Sequence, residues 1–260
     1  MSATAAGSWF APTAPLAKPE VRLFCLHHAG AGASAFRGWQ ELVGPRIEVI
    51  PVQLPGREAR FTEPAERSLA ALADRLVEPV GERAGSVPFA FFGHSMGALL
   101  GYDLTRRLTA LGRPPLLLGA SGCVAPQLQS RKDDVHGLSD EGFLQHIRKL
   151  EGTPAQILDN PSLRDLVLPV LRDDFIACET YVYEPQAPLR TAITVLGGDT
   201  DPGVPADQLA RWGDLTEART TVRIFPGGHF YLADQLGTVV STLVAELFAE
   251  LGTAVVPTGS

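Results

Sequence analysis

Phe89-Ala90-Phe91-Phe92-Gly93-His94-Ser95-Met96-Gly97-Ala98-Leu99-Leu100 joins an apolar run to Gly-x-Ser-x-Gly and then to an apolar helical pattern. The order reads as a strand, a sharp turn and a helix, with Ser95 at the tip. So tight a turn forces its central residue into a strained backbone, and Gly93 and Gly97 supply the small neighbours it needs. The Ser95 hydroxyl is then lifted clear of the sheet, and the Met96 N–H opens a helix, where a developing oxyanion is favoured. Glycine makes up 26 of the 260 residues, so the pentapeptide alone is a weak signal. The strand before it and the helix after it make it a nucleophile elbow.

Upstream, Val21–Leu26 reads as a strand running into His27-His28-Ala29-Gly30-Ala31-Gly32-Ala33-Ser34, a loop of small residues with backbone N–H groups free to approach a ligand. Ser34 is predicted to cap a helix whose face is Phe36, Trp39, Leu42 and Val43. A strand over 47–52, a polar loop over 53–60 and a helix over 68–80 precede the elbow. Downstream, 115–120, 192–196 and 221–225 are predicted strands, and 205–212 and 238–251 predicted helices. Strands alternating with helices imply the α/β class, a mostly parallel central sheet covered on both faces.

The alternation breaks between 127 and 186, where the pattern is helical over 138–150, 162–171 and 173–183. A helical insertion between two sheet strands and downstream of the nucleophile is expected to form a lid, with Phe143, Leu144, Ile147, Phe175 and Ile176 lining a substrate chamber. The plainer reading is one more layer of covering helices.

Length and composition fit one large domain over 21–251, with a flexible lead-in over 1–20 and a loose tail over 252–260. A net charge of −7 argues against a general nucleic-acid binder. Three widely spaced cysteines read as reduced packing thiols of a cytoplasmic protein, and no apolar run is read as long enough to span a membrane. The first 20 residues lack the basic start and apolar core of a signal peptide.

Three strand ends carry Ser95, an aspartate pair (Asp199 and Asp201) and His229, in the order of the α/β-hydrolase fold. A serine hydroxyl needs a base to take its proton, and the imidazole needs an acid behind it to fix its tautomer. Either aspartate fits as that acid, with the other bracing the turn. His27, His28 and His94 lie near in sequence, but none has metal-ligand spacing, so no metal is expected.

Over 23–251 the chain resembles the type II thioesterases that accompany modular polyketide and nonribosomal peptide synthetases. The resemblance is carried by the loop from Leu26 to Ser34 with Phe36 and Trp39, by Gln53-Leu54-Pro55-Gly56-Arg57-Glu58, and by the elbow. Further on it is carried by Leu168-Pro169-Val170-Leu171-Arg172-Asp173-Asp174-Phe175 with Tyr181, Gly197-Gly198-Asp199-Thr200-Asp201 and Gly227-Gly228-His229-Phe230. Many relatives have Gly-Gly where this chain has Gly30-Ala31. The resemblance implies an α/β-hydrolase fold, Asp201 as the acid, and the Ala29 and Met96 N–H groups as the oxyanion hole. It also implies hydrolysis of stalled or mis-primed acyl groups from the phosphopantetheine thiol of acyl or peptidyl carrier protein domains. No cofactor is then needed, and a monomer is expected. Because carrier proteins are usually acidic, docking is expected at a basic patch drawn from Arg37, Arg57, Arg60, Arg131 and Lys132. The rival readings are a carboxylesterase or cyclising thioesterase with the same triad, and a non-catalytic binding protein of the same fold.

Overall fold

A computed structural model of the chain describes residues 8–129, 134–150, 152 and 155–255. Six strands, β1 (Val21–Leu26), β2 (Ile47–Pro51), β3 (Phe89–His94), β4 (Leu117–Ser121), β5 (Ala192–Gly198) and β6 (Thr220–Phe225), form one sheet in the order β2-β1-β3-β4-β5-β6. Every neighbouring pair is parallel, so all the carboxyl ends open on one edge. The strand order reverses at β1 and β3, and ligands of open α/β sheets bind at such a point. Ser95 follows β3 there, beside the small-residue loop that follows β1.

The described α-helices are α1 (Trp39–Val43), α2 (Leu69–Ala84), α3 (Met96–Ala110), α4 (Asp140–Leu150), α5 (Ala155–Asp159), α6 (Pro161–Glu179), α7 (Ala206–Leu209) and α8 (Leu232–Val255). Successive strand residues face opposite sides, and each side has its own core. Phe24, Phe91, Leu118 and Ile193 pack with α2 and α3; Leu23, Ala90, Phe92 and Leu196 pack with α1 and α8. The α/β expectation, a parallel sheet with helices on both faces, is therefore met.

Several boundaries differ from the predicted ones. Ser34 caps no helix: a 3-10 turn spans Ala33–Phe36, Gly38 at φ 82° breaks the path, and α1 starts at Trp39. Leu42 points outward while Phe36, Trp39 and Val43 are buried. The predicted division at 172 is absent, and α6 runs unbroken through Pro169 and the charged run Arg172-Asp173-Asp174. That run is held by partners from other segments: Asp140 for Arg172, Arg67 for Asp173 and Arg57 for Asp174. The supposed tail begins inside α8, which extends to Val255 because packing of its inner face overrides the helix-weakening Gly252.

The lead-in is fastened from its first described residues. Phe10 bridges Val52 antiparallel, Ala11 donates to the Pro51 carbonyl, and the Arg60 guanidinium stacks 4.1 Å over Trp9. The membrane expectation also needs correction for α8, since Leu232–Thr253 is long and apolar enough to span a bilayer, with mean hydropathy 1.3. Its Val239, Val240, Leu243 and Leu247 are buried against the sheet, and Glu246 and Glu250 pair with Arg219.

The helical insertion has a third, smaller core of Val135, Phe143, Ile147, Leu158 and Leu171, against which Ala29 of the β1 loop packs. His136 and Glu179 pair at its edge and fasten residues 135–136 to the end of α6.

Candidate active site

Ser95 sits between β3 and α3 at φ 53° and ψ −116°. A non-glycine held there stores roughly 1–3 kcal/mol of strain. Among the described residues only Glu58 shares a positive φ without being glycine. The elbow leaves no room for side chains beside it: a Cβ on Gly93 would overlap the Gly97 carbonyl, and one on Gly97 would overlap the Leu26 carbonyl. The Ser95 N–H donates to the Ser121 carbonyl at 2.7 Å, which ties the turn to the end of β4.

The two aspartates divide their roles by geometry. Asp201 Oδ2 lies 2.7 Å from His229 Nδ1, and Oδ1 of the same carboxylate accepts from the Gly203 N–H at 2.9 Å. Asp199 instead accepts from the Gly227 N–H at 2.9 Å and braces the loop that presents His229. The pairing that the residues alone left open falls on Asp201, as the resemblance implied.

Ser95, Asp201 and His229 line one cavity of about 650 Å³, together with Leu99, Val124 and Leu150. A second, narrow cavity of about 50 Å³ shares Ser95, Leu150, His229 and Phe230 and continues to His28, Ala29, Ile147, Leu171 and Phe175. Ser95 and His229 therefore stand where two chambers meet. Met96 is the first residue of α3, so its N–H has no intrahelical acceptor, and Ala29 lines the narrow cavity with Ser95.

Two further histidines surround His229. The His94 ring centroid is 5.1 Å from that of His229, and His28 is 5.7 Å from His94. Burial, with the nearby His229 charge, holds the His28 imidazole down at about 4, and the same causes hold His94 well below the usual histidine range. Both are neutral around pH 7. His94 Nδ1 joins Ser121 Oγ and, through it, the Tyr231 hydroxyl. His27 is buried in the β1 loop and is pushed down chiefly by desolvation.

Of the five residues expected to line the chamber, Ile147 and Phe175 do so. Phe143 and Leu144 pack within the core of the insertion, and half-buried Ile176 is absent from both walls. Sequence reading passed over Leu150, Leu171 and Phe230, although Leu171 and Phe230 lie inside motifs that carried the resemblance. Cys25 is a packing residue as expected. Cys123 and Cys178 also pack in the core as expected while lining the larger cavity, and burial pushes the Cys123 thiol up to about 12, far from a reactive thiolate.

Two arginines of the expected basic patch, Arg57 and Arg60, are not on the surface. Arg57 is buried against Asp174, and Arg60 is buried against Glu63 and the Gln53 carbonyl. Arg37 is exposed, while Arg131 and Lys132 lie outside the described residues. Loop arginines read as solvated charges unless their partners are known, and the partner of Arg57, 117 positions away, was not legible.

Residues 21–247 match the family model of the thioesterase domain. The chain belongs to the thioesterase family. Its members hydrolyse thioesters, and kinship with type II thioesterases of polyketide and nonribosomal peptide pathways is borne out by individual relatives. The thioesterase is 38% identical over 247 residues to Thioesterase PikA5 of Streptomyces venezuelae, covering 95% of this chain and 88% of that protein. It is 37% identical over 240 residues to the gramicidin S biosynthesis protein GrsT of Aneurinibacillus migulanus, covering 92% and 93%. Among solved structures it resembles the type II thioesterase BorB from the borrelidin biosynthetic cluster, with a TM-score of 0.86, 35% identity and coverage of 94% and 99%.

Proposed function

We propose that this thioesterase releases stalled or mis-primed acyl groups from the phosphopantetheine arm of carrier protein domains in a polyketide or nonribosomal peptide synthase. The observation that carries the reading is the Asp201–His229 bond beside Ser95 at the junction of the two cavities. Asp201 holds the Nδ1 proton of His229, leaving Nε2 as the base. His229 takes the Ser95 proton as Oγ attacks the thioester carbonyl, and the oxyanion is received by the Ala29 and Met96 N–H groups. The imidazolium returns its proton to the departing pantetheine thiol. Water, deprotonated by the same imidazole, then cleaves the acyl-Ser95 ester to the free acid, and the imidazolium returns its proton to Ser95 Oγ.

No step calls on a cofactor, since the acyl group arrives on the partner's pantetheine. The 650 Å³ cavity suits a bulky acyl chain, and the narrow cavity at most a small group beside the reacting carbonyl. The insertion α4–α6 acts as the lid over both. We place the enzyme in the cytoplasm as a monomer that meets the synthase by diffusion.

Incubation with carrier proteins loaded with a panel of acyl groups, followed by mass spectrometry of the carrier, tests this. Free acid and bare carrier are expected, with acyl-pantetheine cleaved faster than aryl esters of the same acid. Preference for the aryl esters would make it a carboxylesterase, and ring-closed products a cyclising thioesterase.

A further inference from the structure

The loop that carries Ala29 is gripped by residues that the reaction steps above do not use. Gly30 donates its N–H to Asp174 Oδ2 at 2.7 Å. The same carboxylate receives both arms of Arg57, Nη1 to Oδ2 at 2.6 Å and Nη2 to Oδ1 at 2.8 Å. Arg57 Nη1 also reaches the Ala31 carbonyl at 3.3 Å. The pair is withdrawn from solvent, with side-chain exposures of 8% for Arg57 and 1% for Asp174. At the far end of the loop, Glu58 accepts from the N–H and hydroxyl of Ser34, and it does so at the strained φ of 47°.

A buried ion pair adds little net stability, because desolvation offsets the attraction. What a bidentate pair supplies is a fixed distance and angle. Here the object being fixed is the Gly30 N–H, one residue beyond Ala29. Gly30 itself is at φ 77°, and a Cβ there would collide with the Leu171 side chain. At Gly30 the loop thus lies directly against Leu171 of α6.

We propose that Asp174, oriented by Arg57, is a positioning residue for the oxyanion hole: from α6 it seats the β1 loop so that the Ala29 N–H faces the Ser95 reaction centre. This rests on the assignment of the Ala29 N–H as an oxyanion donor made above. It gives a shared task to two motifs, Leu54-Pro55-Gly56-Arg57-Glu58, of which sequence reading placed Arg57 in a docking patch, and Leu171-Arg172-Asp173-Asp174, which it left without a task. Removing an oxyanion donor costs roughly 10²–10³ in kcat, so mis-seating one costs roughly 10–100-fold. KM stays nearly constant, because the donor meets charge that develops only in the transition state.

The test compares the full chain with Asp174→Asn and with the double exchange Arg57→Met/Asp174→Leu, which removes both charges. Three quantities are measured: the thermal midpoint, kcat and KM on octanoyl-pantetheine, and the rate of Ser95 labelling by a fluorophosphonate, whose phosphoryl oxygen uses the same hole. The double variant is expected to melt within a few degrees of the parent, with KM within about threefold. Its kcat and labelling rate should fall together by roughly 10–100-fold. A folded variant that keeps both rates within about threefold overturns the proposal and leaves the pair a structural tie. Should the double variant not fold, Asp174→Asn decides by the same two rates. A parent that labels at Ser95 yet leaves acyl-pantetheine intact would refute the substrate reading alone, and the labelling rates would still decide the positioning role.

Discussion

The two walls of the cavity are built by opposite means. On the sheet side, Ser95, Asp201 and His229 stand at the ends of parallel strands, fixed by backbone ladders and by glycines whose carbonyl contacts leave no room for a side chain. On the insertion side, α4 and α6 are held mostly by side chains: a small separate core, the buried Arg57–Asp174 pair and more exposed pairs such as Arg67–Asp173 and Arg172–Asp140. Chemistry needs atoms held to within a fraction of an ångström, which backbone ladders provide. Choice of acyl chain tolerates adjustable side-chain packing. The difference predicts that changes on the sheet side alter rate, whereas changes on the insertion side alter preference, except at Asp174, whose bond to the Gly30 N–H ties α6 to the β1 loop.

The largest effect that could break this division is expected at the elbow. Ser95→Ala should lower hydrolysis by roughly 10⁴-fold or more and abolish fluorophosphonate labelling, since the triad acts as a unit. Labelling that persists in that variant would move the nucleophile elsewhere. Next in size, Asp201→Asn should cost roughly 10³-fold or more in kcat by favouring the wrong imidazole tautomer. Asp199→Asn, which loses only the brace on Gly227, should stay within about tenfold and show chiefly as a lower melting temperature. Reversal of that ranking would exchange the two roles.

A third expectation concerns pH and also belongs to the sheet side. His28 titrates at about 4 when folded, against an ordinary value of 6.5. As pH falls below about 6.5 the unfolded chain therefore binds a proton that the folded chain refuses. Stability is lost down to about pH 4 by roughly 1.4 kcal/mol per pH unit. His28→Asn should remove that part of the slope, measured by urea unfolding at pH 7 and 4.5; an unchanged slope would show that His28 is protonated in the folded enzyme.

On the insertion side, Phe175→Ala and Ile147→Ala should shift chain-length preference by roughly tenfold while leaving the Ser95 labelling rate unaltered. Leu144→Ala, in the core behind the wall, should not shift it. Equal preference across all three would reduce the insertion to a covering layer. The smallest effect is expected from the exposed Arg37. Arg37→Glu should weaken apparent affinity for an acyl-carrier protein by about two- to threefold and leave acyl-pantetheine hydrolysis unchanged, since rim charges act mainly on association.

What could be read in the sequence divides along the same line. Strands, elbow and the Ser-Asp-His order follow from local rules: alternation, small residues at tight turns and side chains placed at strand ends. The choice between Asp199 and Asp201 did not follow, because both occupy one turn and only the path of the Gly227 loop separates them. The burial of Arg57 was still less legible. Its partner Asp174 is 117 positions away, and no local pattern announces a pair across that span. For the same reason the charged run in α6 looked like a break, when each charge had a distant partner. Trp9 and Phe10 were lost among prolines, since a short strap has no period of its own.

That strap bears on how the chain behaves in company. β2 and β6 are the two rims of the sheet, and an open rim is a template on which another chain can add a strand. They are guarded in unlike ways. The outer strand β6 carries Arg219 and Arg223 beside it, tethered to Glu246. Beside β2, the hydrogen bonds of Ala11 to Pro51 and of Gln53 to Trp9 occupy the backbone where the strand gives way to its loop. A chain begun at Val21, where the family match starts, would keep every residue assigned to chemistry. It would also bare that end of the rim and strip the aromatic cover from Arg60, giving an enzyme with its active groups intact and a new tendency to pair with itself.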